Sequence, residues 1–105
     1  MMNGVLKMQL INNGQVNIGE GKTVLLFYIP EHCMGCKRAI KILQDKPLTN
    51  WTVFLVDSEA EANKPLINQY NVSMAPTIIT FENGEQKDFI AGLKAFIDKK
   101  DIFDD

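Results

Sequence analysis

The sequence predicts an α/β fold, a three-layer α/β/α sandwich whose central mixed sheet closes with an antiparallel hairpin and a final helix. Three observations lead there. Predominantly apolar runs at 23–29, 51–57 and 77–81 have the character of strands covered on both faces. The stretches between them carry helical spacing, and this strand–helix alternation is the order of an α/β domain. Asn83-Gly84, between two strand-like runs, is the strongest short-range signal for a hairpin. With 105 residues, 46% apolar and 23% charged, the chain suits one globular domain spanning 1–105 with a core of its own.

Val5–Ile11 alternates Leu6, Met8 and Leu10 with Lys7 and Gln9, a half-buried strand pattern that would turn those three apolar residues inward. Asn12–Lys22, rich in asparagine and glycine, is expected to be a loop. Thr23–Ile29 is a central strand that ends at Pro30, since proline supplies no ladder donor. From Met34 a helix follows, with Ala39, Ile40 and Leu43 on its inner face and Pro47 marking the stop. Trp51–Asp57 is the next strand, parallel to the first because a helix connects them.

Ser58–Tyr70 begins polar and becomes helical around Pro65, a residue suited to a first helical turn. Thr77–Phe81 and Gln86–Ile90 form the hairpin, with charged Lys87 and Asp88 protecting a sheet edge. After Gly92 a last helix turns Leu93, Phe96 and Ile97 inward. Its acidic tail, DIFDD, lies at the negative end of the helix dipole and is expected to fray.

The net charge of −2, with lysines and aspartates interspersed, gives no basic stripe for nucleic acid. No run approaches the ~20 apolar residues of a membrane span. The N-terminus lacks the basic start and apolar run of a signal peptide, so a cytoplasmic setting is expected. That rules the two Asn-x-Ser/Thr triplets at Asn50 and Asn71 out as glycosylation acceptors. Gly21-Lys22-Thr23 resembles the end of a phosphate loop, but Val16 occupies the first glycine position and a strand follows instead of preceding it.

Chemistry concentrates in Tyr28–Lys41, which holds both cysteines, Cys33 and Cys36. At about pKa 8.5 a free thiol is only about 3% thiolate at pH 7, and only the thiolate attacks a disulfide or binds a metal. A first cysteine at a strand-to-helix junction meets unpaired N–H groups and the positive helix end, which in such motifs bring the pKa to about 3.5–7.5. Cys33 is therefore the candidate nucleophile. Cys36, one turn later, is the resolving thiol.

A structural staple would close only a tiny loop. A zinc site in one chain lacks ligands, because His32 is the only histidine. A metal or iron–sulfur cluster shared across a dimer, and two simply buried cysteines, stay open alternatives.

The strand LLFY running into Cys33-Met34-Gly35-Cys36-Lys37, the segment VSMAPTIITFENGE and Gly92 before the last helix together resemble the thioredoxin superfamily, in its order and spacing from about Thr23 to Phe103. The resemblance implies a thioredoxin-like sandwich and a thiol–disulfide oxidoreductase using a redox-active disulfide and no other cofactor or metal. It implies a monomer acting on protein disulfides and recharged by a thioredoxin reductase or by glutathione. Pro76 would be cis and lie against the sulfurs, leaving the Ala75 backbone to pair with substrate. Substrate contacts are implied at Met74, Ala75 and Pro76, with His32, Met34 and Gly35 around the first cysteine.

Departures from the family are plain. His32 replaces the usual tryptophan before the first cysteine, and Met34-Gly35 replaces Gly-Pro. Phe27 stands where the family buries an acid, which is closer to glutaredoxins. The loop 12–22 replaces the family's first helix. A thioredoxin-fold adaptor that binds a partner without turnover is thus a further alternative. His32 could assist a thiolate or relay a proton; Lys37 and Trp51 read more simply as a solvated face and as packing.

Overall fold

The apolar runs form the middle of the sheet because side chains alternate across a strand and both faces must then be covered. The computed structural model describes residues 8–104. Its strands are β1 (Met8–Ile11), β2 (Lys22–Tyr28), β3 (Trp51–Asp57), β4 (Thr77–Glu82) and β5 (Glu85–Ala91), in the order β1-β3-β2-β4-β5. β3 runs parallel to β1 and β2, while β4 is antiparallel to β2 and to β5. The helices are α1 (Met34–Gln44), α2 (Lys64–Gln69) and α3 (Leu93–Lys99). This is the mixed sheet with a C-terminal hairpin and final helix that the sequence predicts.

Val24 to Phe27 are fully buried in β2, and the period of two divides them. Val24 and Leu26 join Ala39 and Leu43 of α1 and Phe96 of α3 on one face. Leu25 and Phe27 join Phe54, Val56 and Leu66 of α2 on the other. Asn83 and Gly84 both take positive φ, 52° and 85°, as a two-residue hairpin turn requires. Asn83 also fastens the turn to the start of β2: its N–H donates to the Gly21 carbonyl and its side chain accepts the Gly21 N–H, each at 2.8 Å.

Several expectations are corrected. Residues 5–7 of the proposed first strand, Leu6 included, lie outside the described residues. Within β1, Met8 packs inward, but Leu10 is 66% exposed and Ile11 is the buried residue. β1 is an edge strand, with β3 on one side only, so its alternation does not place every apolar residue in the core. Lys22 begins β2 instead of ending the loop, and Ile29 falls just beyond it. In α3 Phe96 is buried, whereas Ile97 is 37% exposed, on the outer side of a helix only two turns long.

The described part of the tail, to Asp104, packs against the body of the protein. A short 3₁₀ turn, Lys100–Phe103, carries Phe103 into full burial. Its ring centre lies 4.9 Å from Trp51 and 5.9 Å from Phe96, and Lys46 pairs with Asp104. Burying a phenylalanine outweighs the unfavourable dipole term, about 1.5–3 kcal/mol against about 0.3–1 kcal/mol.

The loop 12–21 takes the place of a helix by different means. Val16 and Ile18 pack on the α2-side core. Asn63, wholly buried, donates to the carbonyls of Ile11 and Asp57 and accepts the Gly14 N–H, each at 2.8 Å. Gly14 has φ +80° and runs so close to Ala62 that a Cβ would collide with that residue's carbonyl oxygen.

Phe103→Ala should cost about 3–5 kcal/mol in denaturant unfolding. An unchanged midpoint would mean that the tail is detached. The Asp104 carboxyl is held below its usual range, first by its hydrogen bond to Lys46. A depressed carboxyl stabilises the fold above its unfolded pKa and loses that contribution as pH falls through the folded value. Stability measured against pH should therefore drop on the acid side of about pH 4, and Lys46→Met should flatten that limb.

Candidate active site

β2 ends by delivering its chain to a tight approach. Ile29 and Pro30 leave the sheet, Glu31 follows, and His32 turns with φ 61°. Cys33 is the extended residue that caps α1: its Sγ accepts the N–H of Cys36 at 3.2 Å, as a serine oxygen would at a helix start. The two sulfurs are joined in a disulfide, with Cα atoms 5.3 Å apart. The first turn of α1 holds no acidic side chain, so nothing there offsets the positive end of the helix.

The two cysteines differ sharply in environment. Cys33 is half-buried at the rim, whereas Cys36 is 1% exposed and its Sγ accepts the N–H of Ile29 at 3.4 Å. Any incoming group therefore reaches Cys33 first. Phe27, where the family buries an acid, is fully enclosed and faces Tyr70, ring centres 6.4 Å apart. Tyr28 keeps its phenol protonated to a higher pH than usual, through burial and then the nearby Asp57 carboxylate.

Opposite the helix start runs the segment before β4. The Ala75–Pro76 bond is cis. Thr77 Oγ1 donates to the Met74 carbonyl at 2.7 Å, and the Gly92 N–H donates to the Pro76 carbonyl at 2.8 Å. A Cβ placed on Gly35 would sit 3.4 Å from Pro76 Cδ and 3.5 Å from Leu93 Cβ, in ordinary van der Waals contact, so the start of α1, this loop and the start of α3 are neighbours here. Gly92 takes φ +94°, a conformation that side chains rarely adopt, with the Met74 sulfur against it.

Met34 and Met74, 80% and 51% exposed, offer unbranched apolar side chains to solvent. Below Met74 and Ala75 lies a groove of about 190 Å³, with Ile29, Ile67 and Val72 as its apolar walls.

Of the residues singled out in the sequence, the structure joins Cys33 to Cys36, sets Gly35 beside Pro76, and lays Met74 against Gly92. His32 stands apart. Its side chain is 94% exposed, 4.0 Å from the Glu31 carboxylate, and it bonds neither sulfur. Four contacts escaped the sequence reading: the Ile29 N–H on Cys36, the approach of Leu93 to Gly35, and the bonds of Thr77 and of Gly92 that fix the loop. Backbone donors carry no residue-type signal, so only the hydroxyl of Thr77 offered a hint.

The family model described as Thioredoxin matches residues 7–102. Thioredoxin of Rickettsia typhi is 34% identical over 83 residues, which cover 77% of this chain and 75% of that protein. Thioredoxin H5 of Oryza sativa subsp. japonica is 29% identical over 72 residues, covering 69% of this chain and 53% of the relative, so the match spans about half of that protein's length. The oxidized crystal structure of thioredoxin O2 from Arabidopsis thaliana superposes with a TM-score of 0.73 at 20% identity, covering 90% of each chain, and so shares the fold.

After reduction, a limiting amount of iodoacetamide should label Cys33 well ahead of Cys36, by about tenfold or more, because labelling follows exposure and thiolate character. Equal labelling by peptide mass mapping would contradict the asymmetry described here.

Proposed function

The chain belongs to the thioredoxin family, and from that premise we propose that it is a thiol–disulfide oxidoreductase acting in the reducing direction on protein disulfides. What carries this reading is the pairing of one accessible and one enclosed sulfur at the start of α1, within reach of the Met74-Ala75-Pro76 segment.

In the reduced protein, the Cys33 thiolate attacks one sulfur of a substrate disulfide. A mixed disulfide forms, and the other substrate sulfur leaves as a thiolate that takes a proton. The Cys36 thiolate then attacks Cys33 Sγ and expels the second substrate sulfur. Two electrons have moved to the substrate, and the protein holds the Cys33–Cys36 disulfide. Hydrogen bonds from the Cys36 and Ile29 N–H groups favour negative charge on the sulfurs they reach.

The substrate chain lies along Met74 and Ala75 and pairs its backbone with Ala75. Met34 and Gly35 border the same opening, Met34 and Met74 adapting to varied apolar side chains. The protein works as a monomer in the cytoplasm, and a thioredoxin reductase or glutathione returns it to the dithiol.

Cys33→Ser should lower turnover of a protein disulfide by about 10³-fold or more, a loss of about 4 kcal/mol of transition-state stabilisation. Cys36→Ser should keep the first attack and accumulate a mixed disulfide, visible as a mass shift that dithiothreitol reverses. Full turnover by both single variants would refute the mechanism. Partner binding that survives replacement of both cysteines, with no turnover, would indicate an adaptor.

A further inference from the structure

A cavity of about 610 Å³ opens over β1 and β3, bounded by the 13–17 loop and by the end of α2. It lies on the sheet face opposite α1 and its disulfide, as Ile11, Phe54 and Leu66 in its floor belong to the core cluster away from that helix. Its size falls in the range of about 300–1,000 Å³ usual for small-molecule sites. The cavity exists because a loop replaces a helix there: the loop is pinned at Gly14 by Asn63 and rests Val16 and Ile18 on the core, leaving open the space over Ile11.

The lining is chemically unusual. Gln9, Asn13, Gln15, Asn17 and Gln69 contribute carboxamides, and Tyr70 contributes the phenol. All five amide residues are exposed at the cavity rim, over an apolar floor. Among the described residues, no carboxylate, amine, guanidinium or imidazole lines the space. Burial raises the Tyr70 pKa above its usual 10, so the phenol stays neutral as well. An ionic ligand would lose its hydration here and gain no opposite charge, which disfavours phosphates, carboxylates and cations.

A carboxamide offers two donors and an acceptor, and a hydroxyl offers a donor and acceptor lone pairs. Several carboxamides around an apolar, aromatic-containing floor therefore complement a ligand with many hydroxyls on a carbon ring. An added peptide strand fits less well, because it would dock on the free edge of β1, whereas the cavity lies over the strand's face. Gln9 and Ile11 point to that face, and Leu10 points to the other. We propose that this cavity is a binding site for an uncharged, polyhydroxylated ligand of the saccharide class, independent of the redox site.

The test titrates the ¹⁵N-labelled full chain with maltotriose, N,N′-diacetylchitobiose and trehalose, each to about 10 mM, well above a Kd of about 1 mM. Oxidised glutathione and a tetra-alanine peptide serve as a charged and a peptidic comparison. The expected result is saturable shifts at Gly14, Gln69 and Tyr70 with at least one sugar, weakened about tenfold or more by Gln69→Ala and by Tyr70→Phe. The latter keeps the ring that packs on Phe27 and Phe81. Disulfide reductase activity should be unchanged in both variants. No shifts with any of the three sugars would overturn the proposal, as would shifts that survive both substitutions or stronger binding of the peptide.

Discussion

The Cys36 N–H donating to Cys33 Sγ is the contact on which the chemistry of this protein turns. It makes a cysteine serve as a helix cap, and so places a sulfur among the N–H groups that a helix leaves unpaired. The rest of the fold fixes that placement. β2, buried along its length, sets where the chain leaves the sheet, and Pro30 prevents it from continuing. Cys36, Ala39 and Leu43 bury one stripe of α1 against the sheet and fix the helix's rotation, so Cys36 faces inward while Cys33 stays at the rim.

A second constraint acts at the other end of the sheet. The edge strand β1 spans four of the described residues and is followed by a loop with no helix, an arrangement expected to be weak. Asn63 compensates by joining three backbone groups from separate segments: the end of β1, the end of β3 and the loop at Gly14. Each of those groups, left unpaired in the interior, would cost about 1–3 kcal/mol. One amide therefore substitutes for part of the packing that a helix would supply.

Much of the layout was legible because it rests on signals that few competing effects can override. The apolar runs of β2, β3 and β4, the Asn83-Gly84 turn and the Cys33–Cys36 spacing each point to one local structure, and they agree with one another. The misreadings fall where local pattern and tertiary contact disagree. Leu10 fits an alternating strand, but at an edge only some inward positions find a partner layer. Phe103 sits in an acidic tail that local electrostatics would release, and it is retained by Phe96 of the preceding helix and by Trp51, far away in sequence. Asn63 looks like a loop residue. Its role depends on segments some fifty residues apart in sequence, which no local pattern records.

The same distinction clarifies the replacement of the family's buried acid by Phe27. A carboxyl near the sulfurs would titrate, making the thiol chemistry depend on a further proton. The hydrogen-bond donors that reach the sulfurs are backbone N–H groups, from Ile29 and from Cys36, and these do not titrate. Their stabilisation of a thiolate is constant across the physiological range, and Phe27 strengthens the core at a position where a charge would require compensation. His32 stands in solvent beside Glu31 and bonds neither sulfur. The proton of the enclosed Cys36 must then pass to the departing substrate thiolate or to solvent at the Cys33 rim, which ties the resolving step to the basicity of the group it expels.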